Sequence, residues 1–186
     1  MRLSTAMAAL ACGAGINTAS VAIQARHRLL TRWFGDHAWH AHLVLITPAY
    51  VWFVLSLICL EHGVRWPLPW RFRGLGAMLI AGAATVWGLA YRQLGPKRTA
   101  NGYFFGITDE QPVRAGVFKW LRNPMYDSYV AALAGLALLS GNAAYLALAA
   151  EAFVAFNIVE ARVENRPFDH ANIGLANGAV SHPPLH

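Results

Sequence analysis

Apolar residues gather into long blocks along this chain, and most polar residues fall between the blocks. Leu43 to Leu60 and Gly74 to Leu94 are the clearest of these, each near the length that crosses a hydrocarbon core of roughly 30 Å as helix. A third block, Leu3 to Ile23, is interrupted by Asn17, Thr18 and Ser20. The fourth, Tyr129 to Val159, is too long for one span, and Ser140-Gly141-Asn142 within it is turn chemistry, because Gly and Asn tolerate positive φ. Two antiparallel helices joined at that turn are predicted. The whole pattern predicts an all-α, multi-pass integral membrane bundle of about three spans plus a C-terminal helical hairpin. It forms one domain over 1–168, followed by a polar tail over 169–186.

Composition agrees with a membrane chain: 56% of the 186 residues are hydrophobic, 13% are charged, and the mean hydropathy is +0.37. The net charge of +6 would suit nucleic acid, but its placement points instead to a lipid bilayer. With the N-terminus outside, eleven basic residues fall inside and four, Arg2, Arg65, Arg71 and Arg73, fall outside. The basic side, and with it the two ends of the hairpin and the C-terminus, is therefore expected in the cytoplasm, against anionic headgroups. Arg2, the apolar stretch after it and Ala9-Leu10-Ala11 mimic a short secretory signal, though Met1 favours a retained helix. Cys12 and Cys59 lie in apolar segments and are expected as buried small residues, not as a disulfide or metal pair. "HAWHAH", residues 37–42, has three His without a nearby acid or Cys, so no metal is expected. No stretch of the sequence sets an oligomeric state.

The candidate chemistry lies where the hairpin begins and ends. In "LRNPMY", Asn123 is expected to cap the incoming helix, and Pro124 suits its first turn, having no N–H to leave unpaired. That helix start offers N–H groups and a positive dipole end to an anionic group. The return helix ends in "EARVENRPF", where Glu160 and Glu164 are four apart and share a face. The dipole disfavours carboxylates at a helix C-terminus, so a cationic partner is expected: either arginines of the preceding connection or a bound cation. Glu151 lies deeper, either as a functional acid or hydrogen-bonded to a neighbouring helix. The connection 95–122 carries Tyr103, Phe104, Phe105, Phe118 and Trp120, which suit an interfacial lid or an aromatic belt.

"NGYFFGI", then "LRNPMY", then the hairpin and an acidic "ENRPF" resemble the phosphatidylethanolamine N-methyltransferases and their phospholipid-methyltransferase relatives. The isoprenylcysteine carboxyl methyltransferases have a similar proline junction and acidic end. The resemblance is strongest from about Leu94 to Phe168 and extends weakly to "RHRLLTRWFG" at residues 26–35. It implies S-adenosylmethionine as cofactor and a membrane phospholipid as substrate, the amine of phosphatidylethanolamine and its methylated intermediates being methylated towards phosphatidylcholine. Other lipophilic acceptors, a prenyl-cysteine carboxylate or a thiol, belong to the same class of reaction, and a non-catalytic scaffold of the same fold is the alternative outside it.

The family's Gly-x-Gly falls on Ala81, Gly82 and Ala83, with Ala in place of Gly, inside a stripe of Ala77, Ala81, Ala84 and Gly88 that also suits helix packing. Its acidic pair falls on Val163 and Glu164, or on Glu164 and Asn165 with a shift of one. The resemblance thus implies a donor site of Ala81, Gly82, Ala83, Tyr103, Gly106, Arg122, Asn123, Pro124, Tyr126, Glu164 and Asn165. In it Glu164 meets the donor's ammonium, Arg122 or the N–H groups after Asn123 meet its carboxylate, and the rings of Tyr126 or Tyr103 face its sulfonium. Glu160 is the expected base or proton relay, with Tyr126 as the other catalytic candidate, and Arg28, Lys97 and Arg98 are expected at the lipid phosphate.

Overall fold

The computed structural model describes residues 2–60, 65–108, 113 and 115–159. Six α-helices run in order: α1 (Leu3–His27), α2 (Leu29–Phe34), α3 (Ala38–Ile58), α4 (Trp70–Thr99), α5 (Pro124–Ser140) and α6 (Ala144–Val159). Short 3-10 turns occupy Gly35–His37, Gly102–Phe105 and Gly116–Lys119. There is no strand among the described residues, and a lone antiparallel bridge pairs Arg65 with Asn142. Three helical stretches are long and apolar enough to cross a membrane: Leu3–His27, Leu29–Ile58 and Trp70–Phe105. The all-α architecture with a C-terminal hairpin is therefore as predicted, and the polar interruption at Asn17, Thr18 and Ser20 does not break α1.

The hairpin forms for local reasons. Pro124 opens α5, and Gly141 closes it at φ 67°. Gly is required there twice over, since a Cβ would lie 2.6 Å from the Trp66 carbonyl oxygen, which approaches because Trp66 N–H donates to Gly141 O at 2.7 Å. Asn142 then caps α6, its Oδ1 accepting from Ala144 N–H at 3.0 Å. Asn123 departs from expectation: its side chain makes no capping bond to α5, and only its carbonyl joins the helix, accepting from Asp127 N–H at 3.0 Å. Pro124 at the first helical position already removes one of the orphan donors that a cap would serve.

The core is built from small and aromatic residues of four helices: Ala6 and Leu10 of α1, Phe53 of α3, Leu133 of α5, and Leu148 and Phe156 of α6. Helix α4 stands outside this cluster and packs chiefly on α5. The two cross backbone to backbone. A Cβ on Gly76 would fall 2.6 Å from Gly135 O and from Leu139 N, and one on Gly135 would fall 2.8 Å from Ile80 Cγ1. Gly76 meeting Leu139 while Ile80 meets Gly135 makes the pair antiparallel. Close approach of this kind is how membrane helices associate, because lipid gives no hydrophobic drive between them.

Two expectations about faces are corrected. The buried line of α4 is Gly76, Ala83 and Ala90, not the stripe of Ala77, Ala81, Ala84 and Gly88, of which the three alanines are exposed. Cys12 and Cys59 are also exposed, on the apolar exterior shared with Val44, Ile58, Met78 and Phe153. In a bilayer that exterior meets acyl chains, so an apolar side chain is equally suited to either face.

Candidate functional site

Two groups of residues form at different depths at the end of the bundle where α1 and α4 finish and α5 begins. The inner group surrounds the first turns of α5. Tyr126 stacks on Phe156 with ring centroids 4.4 Å apart, and Tyr129 meets both Phe156 at 5.4 Å and Phe53 at 5.9 Å. The outer group surrounds the turn Gly102–Phe105. Phe104 is buried against Val21, with Tyr103, Phe105 and Ala25 packed around them. Phe53 belongs to the inner group and His42 to the outer, and the eleven helical steps of α3 from one to the other span about 16 Å.

The outer group is held by a buried polar network that the sequence did not reveal as such. His42 is fully buried, with Nδ1 3.0 Å from Ser20 Oγ and Nε2 3.4 Å from Asn101 Nδ2. Asn101 Nδ2 also donates to Asn17 Oδ1 at 3.0 Å, and Ser20 Oγ donates to Asn17 O at 3.0 Å. One assignment serves every atom: a neutral imidazole donating from Nδ1 to Ser20 and accepting at Nε2 from Asn101. Asn101 has φ 61°, so these bonds hold a left-handed residue at the point where the chain leaves α4 for the aromatic turn. Asn17 and Ser20, two of the residues that interrupt the first apolar block, were the available signal.

A second tie comes from Trp39, whose Nε1 donates to Ala100 O at 2.9 Å, and a third from the His42 and Phe105 rings, 5.1 Å apart. Between these ties lies a cavity of ≈ 290 Å³ lined by residues of 31–39 on one side and by Phe105, Gly106 and Ile107 on the other. Among the described residues, the side-chain oxygens of Thr99 and Thr108, which bracket the turn, are buried and find no hydrogen-bond partner. Buried hydroxyls without partners are uncommon in folded proteins and mark places where a polar ligand can be accommodated.

The structure places the sequence-derived residues as follows. Asn123, Pro124 and Tyr126 belong to the inner group, with Arg122 exposed just before them. Tyr103 and Gly106 belong to the outer group, and Gly106 has φ 71°. Lys97 and Arg98 lie in the last turn of α4, beyond a break at Gly95 with φ 74° and ψ 166°, so α4 takes up part of what reads as loop. Arg28, at φ 49°, forms the bend between α1 and α2. Ala81 and Gly82 are exposed, and only Ala83 of that trio turns inward, about two turns deeper than Pro124 by the α4–α5 register. The trio is thus not brought to the start of α5.

Glu151 keeps Oε2 buried with no hydrogen-bond partner among the described residues, which do not supply that oxygen with the bond to a neighbouring helix expected as one alternative. Glu160, Glu164 and Asn165 lie outside the described residues. The three His of "HAWHAH" diverge: His42 points into the polar network, while His37 and His40 are exposed with rings 6.2 Å apart. Among the described residues no group of three His, Cys, Asp or Glu comes together to hold a metal.

Comparison with known proteins agrees with the motifs. Residues 72–170, more than half of the chain, match the phospholipid methyltransferase family. No curated protein and no solved structure matches. The matched region begins on α4 and includes the whole hairpin as well as the aromatic turn and the α5 start that lie at this end of the bundle. With three stretches able to cross a membrane and this match, the chain is an integral membrane protein that belongs to the phospholipid methyltransferase family.

Proposed function

We propose that the protein transfers methyl groups from S-adenosylmethionine to the amine of phosphatidylethanolamine and its partly methylated products, towards phosphatidylcholine, at a cytoplasmic face. The observation that carries this reading is the gathering of the "NGYFFGI" turn and the "LRNPMY" helix start at one end of an apolar bundle, within the matched region. In this reading the first N–H groups of α5 or Arg122 take the carboxylate of a zwitterionic donor, Glu164 its ammonium, and the ring of Tyr126 or of Tyr103 its sulfonium. The partnerless hydroxyls of Thr99 and Thr108 fit a polar cofactor at this end.

When bound, the donor supplies an electrophilic methyl for an in-line displacement, so the chain's main task is to hold the acceptor in near-attack geometry. A primary ammonium of the lysine type has a pKa near 10, roughly, and must lose a proton before it can attack. Glu160 is the base or relay in this reading. Lys97, Arg98 and Arg28 take the lipid phosphate.

A labelled-donor assay on mixed lipids, with mass spectrometric identification of the product, tests the proposal. Label on phosphatidylethanolamine is the expected result; label on a prenyl-cysteine or a thiol instead would assign a different acceptor. Absence of saturable S-adenosylmethionine binding by calorimetry would leave a scaffold. Glu164→Gln is expected to weaken donor binding roughly tenfold, as loss of one charge-assisted contact does, while Glu151→Gln leaves it within about twofold. Equal effects of the two substitutions would place the donor elsewhere.

A further inference from the structure

The cavity between the 31–39 segment and the 105–107 turn is lined by residues of distinct chemistry. Asp36 supplies a carboxylate, Trp39 and Phe105 supply aromatic walls, and Gly35 and Gly106, at φ 54° and 71°, bend the backbone away on either side. Both walls are fixed from behind, by the Trp39 bond to Ala100 O and by the His42 contact with Phe105. Asp36 is one of only three acids among the described residues, with Asp127 and Glu151, and it stands at the end of the bundle that also carries Arg26, Arg28, Arg32, Lys97 and Arg98. A carboxylate beside aromatic faces, at the end of the bundle that carries these basic residues, matches a group with an ammonium at its tip and a phosphate behind it. At ≈ 290 Å³ the cavity suits a headgroup-sized ligand.

We infer that this cavity receives the ammonium of an aminophospholipid headgroup, with Asp36 as its counter-ion and Trp39 and Phe105 as its walls. The inference rests on the methyltransferase reading only for what happens next to the amine. The cavity shares Gly106 with the residues assigned to the donor and lies on the outer of the two groups. Asp36 acts by binding and orienting; proton removal belongs to another group.

The test uses the full chain in nanodiscs containing phosphatidylethanolamine. In kinetics, Asp36→Asn is expected to raise the KM for phosphatidylethanolamine roughly tenfold, with the S-adenosylmethionine Kd and kcat unchanged, and Asp36→Glu to recover part of the loss. A second readout needs no turnover. A phosphatidylethanolamine bearing a photoreactive headgroup should crosslink to peptides containing 31–39 or 105–107 in the wild type and markedly less in Asp36→Asn, whereas a phosphatidic acid probe should not distinguish the two. Crosslinks confined to α5 and α6, or an unchanged pattern and KM in Asp36→Asn, would overturn the inference. Crosslinking at the cavity without methyl transfer would retain the headgroup site and sink the proposed activity instead.

Discussion

Gly76→Leu is expected to abolish the folded state. The substitution drives a branched side chain into the backbone of α5, where a Cβ alone would sit 2.6 Å from Gly135 O and Leu139 N. Neither contact is the movable end of a side chain, so relief requires α4 to leave α5, its principal partner. Overpacking a fitted site costs about 1–3 kcal/mol when side chains can shift, and this case lies at or above the upper end because backbone must move. Gly135→Leu should fail in the same way from the other helix. Gly82→Ala is the matched control, since a Cβ there meets nothing within 4 Å. Size-exclusion profiles and thermal unfolding in detergent decide it: a monodisperse Gly76→Leu protein with wild-type stability would mean that the crossing is not as close as described.

The second large effect is expected from His42→Ala. Removing the imidazole takes one of two hydrogen-bond partners from Ser20 and from Asn101, each of which keeps its bond to Asn17, and opens a cavity against Phe105. Polar bonds between membrane helices are individually modest, about 0.6 kcal/mol each on average, but the loss here includes a buried ring as well as two such bonds, for a total of about 2–3 kcal/mol. The specific consequence is at Asn101: held by Asn17 without His42, the left-handed residue fixes the turn that carries Tyr103 and Gly106 less firmly. Thermal stability and donor binding should therefore fall together, while Ser20→Ala, which leaves the Asn101 side of the ring intact, should do less. A His42→Ala protein with wild-type stability and donor affinity would show that the network holds nothing in place.

The hairpin was legible because its two ends are punctuated by residues with backbone consequences, Pro124 and Gly141, and its interior is uniformly apolar. The faces of the spans were not legible. A soluble helix advertises its buried side through the contrast between apolar and polar residues, but α3, α4 and α6 are apolar nearly all round, and lipid accepts the same side chains as the core. That is why the inward line of α4 was displaced to Ala77, Ala81, Ala84 and Gly88, and why Cys12 and Cys59 were expected inside. The polar network was visible as letters but not as an arrangement, because Asn17, His42 and Asn101 are far apart in sequence and meet only when α1, α3 and the turn after α4 pack together. The aromatic turn and helix start were recognisable from their motifs, but their separation in depth is set by helix lengths and crossings that no local motif encodes.

Those lengths have a consequence for the bilayer itself. Helix α5, with 17 residues, is about 25 Å long, whereas α1, with 25 residues, is about 37 Å. Both are anchored at the opposite end, where Gly141 bonds to Trp66 and Ala6 and Ala144 share the core, so the start of α5 is recessed by roughly 12 Å. A hydrocarbon core of about 30 Å cannot be matched by both helices at once. Lipids beside the α5 start must thin and tilt to wet it, while those beside α1 and α4 need not. The protein thus carries its own hydrophobic mismatch, confined to one side, and the leaflet is most deformed next to the residues that would have to reach a headgroup.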